Sequence, residues 1–273
     1  MERMVKTMSS SLFKATLKSN WPIALGITLF ILIYISTSIS MFNPENAEFI
    51  ESMIKVMPEG LMKALGFINL GTDLTQYLGN YLYGFIFLVF PFIYTSVVAN
   101  RLIAKHVDRG SMSYLLSTPN TRVKVVTTQA VYLILSTSVI FIVLTGIAIA
   151  MSAGIWPGLL SIGLFIVLNL VTLAATLVVS GVSFLFSCIF SESRLSLAFG
   201  VGVPLLFVVC RMVHSLSEKI DWLKYLSVYT VVDVEKLLQG GPYALNVSLI
   251  LIGVTVVLYG AAIFIFNKKS LII

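Results

Sequence analysis

Between Lys124 and Glu192 the chain carries no charged residue at all: positions 125–191, 67 in a row, are apolar, hydroxyl-bearing or small. A soluble fold needs solvated side chains on its loops and helix backs, so a stretch of this length has no place in one. The bulk figures agree. Of 273 residues 58% are hydrophobic and 11% are charged, with a mean hydropathy of +0.99, whereas an ordinary globular domain carries about 25% charge. The sequence is that of an integral membrane protein, which excludes a water-soluble enzyme and a disordered chain.

A membrane helix takes about 20 mostly apolar residues. That length predicts six spans, at about 21–41, 78–100, 126–151, 159–187, 195–213 and 246–266. The turn Gly154-Ile155-Trp156-Pro157-Gly158 divides the charge-free stretch into the third and fourth. The first run, from Trp21, is long enough to stay in the bilayer and reads as an anchor, not a removed signal. An even number of spans puts both termini on one side. That side collects Arg3, Lys6, Lys14, Lys18, Arg101, Lys105, Arg109, Arg122, Lys124, Arg194, Lys268 and Lys269, for a net charge of +9, while the other side sums to −3. The positive-inside rule then predicts cytoplasmic termini.

The connecting segments are not plain tails. In residues 1–20, Met4, Val5, Met8, Leu12 and Ala15 share one helical face and Arg3, Lys6, Lys14 and Lys18 the opposite one. This predicts an interfacial amphipathic helix; a frayed basic tail is the alternative. In the outer segment 42–73, Asn43-Pro44 starts a helix and Pro58-Glu59-Gly60 breaks it, predicting two short helices on the outer surface. The outer segment 214–245 follows the fifth span without a clean boundary, and a re-entrant or interfacial hairpin would account for that span's shortness. Arg211 at its start reads as a side chain snorkelling to the headgroups or as a functional charge. Cys188 and Cys210 lie in apolar segments and read as small hydrophobes. His106 and His214 fall on opposite sides, so no shared metal site is expected.

The inner loop 101–124 holds the strongest local pattern. Arg109-Gly110-Ser111-Met112-Ser113-Tyr114-Leu115-Leu116-Ser117-Thr118-Pro119 reads as a short helix, with Ser111 as its cap and proline as its stop. Met112, Leu115 and Leu116 form an apolar ridge at i, i+3 and i+4. Such a ridge packs on the protein's own helices or docks into a soluble partner.

With Asp108 before it and Arg122 after it, this loop resembles that of the ABC-2 type permeases, the membrane subunits of ATP-binding-cassette exporters. Their loop between the second and third spans runs acidic, Gly-Thr/Ser, apolar, Leu-Leu, Thr-Pro, basic. The chain departs from that pattern where His106 stands in place of an earlier acid and Arg109 precedes Gly110. The resemblance extends over the whole chain and implies an all-α membrane fold, the ABC-2 (type V) exporter fold: six transmembrane helices with an N-terminal interfacial helix (1–20) before the domain 21–273. It implies that Asp108, Arg109, Gly110, Ser111, Met112, Tyr114, Leu115, Leu116 and Pro119 form a coupling helix that docks on an ABC ATPase subunit, present in two copies. It implies a second permease subunit, as homo- or heterodimer, in a bacterial or archaeal cell membrane. The first, second and fifth spans would line the path between subunits, which nominates Phe30, Tyr34, Tyr83, Phe87, Phe207 and Arg211.

The residues themselves narrow the energy source. There is no Gly-x-x-x-x-Gly-Lys-Ser/Thr phosphate loop, so no cofactor is expected on this chain and ATP with Mg would sit on the partner. No Asp or Glu lies inside a span, where ion-coupled carriers keep their ligands, and no paired broken helices are visible. Membrane lipid is an expected partner and nucleic acid is not. Small residues (Gly146, Ala150 and Gly154 in the third span, Gly200 and Gly202 in the fifth) allow close helix approach, within the subunit for the third span or between two subunits. Aromatic and aliphatic spans favour an amphipathic or hydrophobic cargo; the resemblance, to small ABC-2 permeases, implies a peptide toxin, antimicrobial peptide or antibiotic. The competing reading is a sensor or accessory protein that recruits an ATPase without transporting anything.

Overall fold

In a bilayer no water satisfies backbone N–H and C=O groups, so each apolar run must close its hydrogen bonds internally, as a helix. A computed structural model describes residues 8–43, 73–117, 121–214, 216 and 218–270, and among these every regular element is helical. The order is α1 (Ser10–Met41), α2 (Leu74–Tyr83), α3 (Ile86–Leu102), α4 (Ala104–Asp108), α5 (Ser111–Ser117), α6 (Arg122–Ile155), α7 (Ile162–Ile189), α8 (Ser193–His214), two 3-10 segments (Glu218–Tyr225 and Val228–Val231), α9 (Val234–Leu238) and α10 (Pro242–Lys268). Six helices are long and apolar enough to cross a membrane: α1, α3 together with α4, α6, α7, α8 and α10.

The most apolar stretch of the sequence becomes the axis of the bundle. α7 packs most extensively on α10 and also on α3, α8 and α6, while α1 lies along α6. Apolar side chains fill the core and also cover the outside. Hydroxyls such as Thr95, Ser96, Thr172, Thr176, Ser180 and Ser187 are buried, while Ile33, Ile142, Leu206 and Val257 are exposed, as a hydrocarbon surround requires. Where α3, α7 and α8 cross, the Ser96 and Ser183 hydroxyls both donate to the Gly200 carbonyl at 2.8 and 2.7 Å. The helices are close here: a Cβ at Gly200 would be in ordinary contact with Ser183, 3.6 Å from its Cα. The turn after α6 is fixed by the Trp156 indole, which donates to the Ile39 carbonyl of α1 at 3.0 Å.

Four sequence expectations need correction or refinement. The helix expected over residues 1–20 does not end before the first span: from Ser10 it runs on through Trp21 to Met41 without a break. Its cap is Ser9, whose hydroxyl accepts from the Leu12 N–H, and its start is tied to α6 by Ser9 N–H to Thr128 Oγ1 (3.0 Å) and Thr16 Oγ1 to Gln129 Oε1 (3.1 Å). Polar Thr16 and Asn20 are the fully buried residues of this segment, with Leu12 and Phe13 packed beside them on the core, so its inner face joins hydrogen bonds to apolar contact. Residues 1–7, and with them Arg3, Met4, Val5 and Lys6, lie outside the described residues, as do residues 44–72 of the expected outer helices.

The run 74–100 is two helices, not one. α2 ends at Tyr83, the chain bends through Gly84 and Phe85 (φ −142°, ψ −54°), and α3 restarts at Ile86. α2 is buried along most of its length. The segment 214–245 folds back into the bundle: Tyr229, Val232 and Leu237 are core residues, and α9 packs on α2 and α7. Gly79 allows that contact, because a Cβ there would lie 2.7 Å from Val234 Cγ1. The expected packing of small residues holds at Gly200 alone. Gly146 and Gly154 have no neighbour within 4 Å of a Cβ position and Ala150 is exposed, so the third span's small face is uncovered within the subunit; Gly202 is likewise unopposed.

Candidate docking site and aromatic seam

At the basic end of the bundle the chain leaves α3 through three short steps. Ile103 breaks the helix, and the Ser187 hydroxyl bridges the break by donating to the Ala99 carbonyl (2.8 Å) and accepting from the Ala104 N–H (3.0 Å). α4 then closes with Arg109 N–H on the Lys105 carbonyl and Gly110 N–H on the Val107 carbonyl. Gly110 takes φ +69°, a left-handed conformation that a side chain would strain, and this reverses the chain into α5.

Ser111 does not cap α5 as its position predicts. Its hydroxyl reaches back to α4, pairing with His106 Nδ1 at 2.9 Å and the His106 carbonyl at 3.3 Å, and so fixes the angle between the two short helices. The Gly110 carbonyl accepts from the Ser113 N–H and from the Ser113 hydroxyl.

The apolar ridge faces the other way from the one expected for docking. Met112 is 3% exposed and belongs to the core with Ile103, Val125 and Val126; Leu115 and Leu116 are half-buried against that core. The membrane helices supply the nearest apolar surface, so the ridge turns toward them. The large side chain left outward is Tyr114, 79% exposed, in company with exposed Asp108, Arg109 and Gly110. A lone exposed aromatic with mixed charges beside it, on a short helix oriented by Gly110 and Ser111, has the chemistry of a candidate docking knob. Sequence reading named Tyr114 only as one residue among nine; its prominence follows from the phase of a helix of 7 residues, which tertiary packing sets. Pro119 lies outside the described residues.

The nominated path residues separate into four groups, Arg211 standing by itself. Tyr83 and Phe87 stack on each other (4.7 Å) and pack against Phe165 and Phe141 inside the subunit, so they line no surface here. Phe207 is half-buried, and its carbonyl accepts the Ser227 hydroxyl at 2.6 Å. Phe30 and Tyr34, by contrast, join a seam of rings between α1 and the α2–α3 pair. Phe30 meets Phe90 at 4.4 Å, Tyr34 stacks on Tyr81 at 5.4 Å, Tyr81 on Tyr77 at 5.5 Å, and Tyr77 meets Phe42 at 5.2 Å. Phe90, Tyr81 and Tyr77 are not among the sequence candidates; the break at Gly84–Phe85, which sets α2 and α3 at their own phases, brings them to the seam.

Arg211 neither snorkels nor lines a path. Its guanidinium turns inward and donates to the carbonyls of Tyr83 (3.0 Å), Gly84 (3.4 Å) and Val232 (3.2 Å). Leu88 and Val89 both donate to the Phe85 carbonyl, so the break between α2 and α3 leaves the carbonyls before it open, and Arg211 fills them. One side chain thus ties α8 to the helix break and to the re-entrant segment. Nearby, outside the spans, Asp221 pairs with Lys224, which holds its carboxyl below the usual range.

Among the described residues no group of three or more His, Cys, Asp and Glu is placed to hold a metal. A family model described as ABC-2 family transporter protein matches residues 12–271. No characterised protein and no solved structure gives a significant match.

Proposed function

Because this chain belongs to the ABC-2 transporter family, whose permeases carry no ATPase site and work with ABC ATPase subunits, we propose that it is the permease of an exporter driven from its basic end. The observation that carries this is the α4–α5 knob: Tyr114 stands out beside Asp108 and Arg109, on the end of the bundle where Lys14, Lys18, Arg122 and Lys269 also lie. That basic end faces the cytoplasm, where ATP is available. Two ATPase subunits dock on two copies of the permease, or on this chain and a second one. ATP-driven closure moves the two α5 helices together, and Gly110 and Ser111 transmit the movement into α3 as a rigid-body displacement.

The cargo is amphipathic or hydrophobic, with a peptide or a lipophilic antibiotic as the best fit. Support comes from the seam Phe90–Phe30 and Tyr34–Tyr81–Tyr77, which offers ring faces and phenol hydroxyls but no charge. The test is co-expression and co-purification of this chain with candidate ABC ATPase subunits from the same genome, comparing wild type with Tyr114→Asp. Loss of about 2 kcal/mol or more, roughly a thirtyfold weaker complex, is expected for a central aromatic contact. Undiminished capture of the ATPase by the variant would refute docking through α5. A complex that forms, but whose ATPase responds to no member of a panel of amphipathic peptides and lipophilic drugs, would favour the non-transporting sensor.

A further inference from the structure

Beside the docking knob, a cavity of about 510 Å³ opens between the first turns of α1, the end of α3, α4 and α5. Its wall holds three cations, Arg101, Lys105 and Arg109, together with His106, and among the described residues no carboxylate lines it. Asp108, the acid of that loop, is exposed and not part of the wall. Gathering three like charges in one cavity is unfavourable unless an anion joins them.

The rest of the wall says what kind of anion. Leu12, Ala15, Leu102 and Leu115 make one side apolar, and Thr16, Ser19, Asn20 and Gln129 make the floor polar. Asn20 is 4% exposed; its Nδ2 donates to the Thr16 carbonyl at 3.0 Å, and its Oδ1 has no hydrogen-bond partner. A buried amide oxygen without a donor asks for a hydroxyl or ammonium group. Gln129 spends its Oε1 on the Thr16 hydroxyl, leaving its amide N–H groups as what it offers a ligand. One residue beyond Asn20 stands Trp21, 52% exposed, in the position where an indole marks the headgroup level of a bilayer.

We propose that this cavity binds the phosphodiester headgroup of an anionic phospholipid, with the phosphate held by Arg101, Lys105 and Arg109 and the headgroup's hydroxyl or ammonium directed at Asn20. Arginine forks suit phosphate oxygens, and the apolar side at Leu12 and Leu102 receives the start of the acyl chains. The site lies against α4 and α5, so an occupied cavity stiffens the hinge that presents Tyr114. This inference does not rest on ATPase docking, and no ATPase enters its test.

The experiment is native mass spectrometry of the full chain in detergent, titrated with phosphatidylglycerol, with phosphatidylcholine, and with inorganic phosphate. Wild type is expected to retain phosphatidylglycerol at least tenfold better than phosphatidylcholine. Lys105→Gln with Arg109→Gln should remove that preference, whereas Lys14→Gln with Lys18→Gln, an equal loss of charge on exposed residues outside the cavity, should preserve it. Equal loss in both pairs, or no preference in wild type, overturns the site. Phosphate binding alone with the same sensitivity, and no lipid retention, overturns the lipid as its source. Should the cavity pair fail to fold, wild type treated with a photoreactive phosphatidylglycerol must give adducts in peptides covering 8–20 or 101–117; adducts confined elsewhere overturn it equally.

Discussion

Replacing Arg211 with methionine keeps the apolar stem and removes the guanidinium, so it isolates the donations to Tyr83, Gly84 and Val232. Two of these, at 3.0 and 3.2 Å, have full hydrogen-bond length, and the third, at 3.4 Å, is weak. A bond from a charged donor contributes roughly 1.5–3 kcal/mol, and the variant regains part of the cost of burying a cation. A net loss of about 3 kcal/mol follows, concentrated where α2 meets α3. For a protein of this size that corresponds to a fall in Tm of roughly 6–12 °C. Arg211→Lys should fall between, because an ammonium cannot fork across carbonyls on two segments. The assay is thermal unfolding in detergent, paired with hydrogen exchange. Peptides covering 74–88 and 226–238 should exchange faster in Arg211→Met, while peptides from the core of α7 should not. A Tm within about 2 °C of wild type and unchanged exchange at 74–88 would refute the role of Arg211 as the pin of the break.

Two further outcomes follow from close approach and backbone geometry. At Gly181 on α7 a Cβ would meet Leu258 of α10 at 3.1 and 3.3 Å, so Gly181→Leu should overpack this interface and lower stability by roughly 1–3 kcal/mol, read as a lower Tm, with Gly181→Ala much milder. Gly110→Ala places a side chain at φ +69° with open space around it; it should cost about 1 kcal/mol locally, leave the bundle's Tm nearly unchanged, and weaken ATPase capture by mispositioning α5.

The membrane spans were legible because lipid imposes a simple rule on a sequence: apolar length and missing charge. The observed helices 122–155, 162–189 and 242–268 sit on the runs that the rule selects. The break at Gly84–Phe85 was not legible. No proline marks it, and what sustains it is Arg211, 127 residues later, whose fit to those carbonyls exists only in three dimensions. Residues 10–20 misled for a related reason. Lys14 and Lys18 are exposed as their pattern says, but the opposite side is tied to α6 by Ser9 and Thr16, a contact that the pattern does not show. In the inner loop the motif marks the segment that folds into α4 and α5, while burial decides which residue points out. The Leu-Leu pair reads as the contact in one dimension; in the fold it anchors the helix, and Tyr114 is the large side chain left outward.

The most direct measurement is the ATP turnover of the partner ATPase, reconstituted in proteoliposomes with and without this chain, in the presence of amphipathic peptides and lipophilic drugs. The expected result is turnover that rises with the permease present, rises again with a transported compound, and loses both responses in Tyr114→Asp while the variant's Tm is kept. Turnover indifferent to the permease, or full responses retained by Tyr114→Asp, would contradict a permease driven through α5.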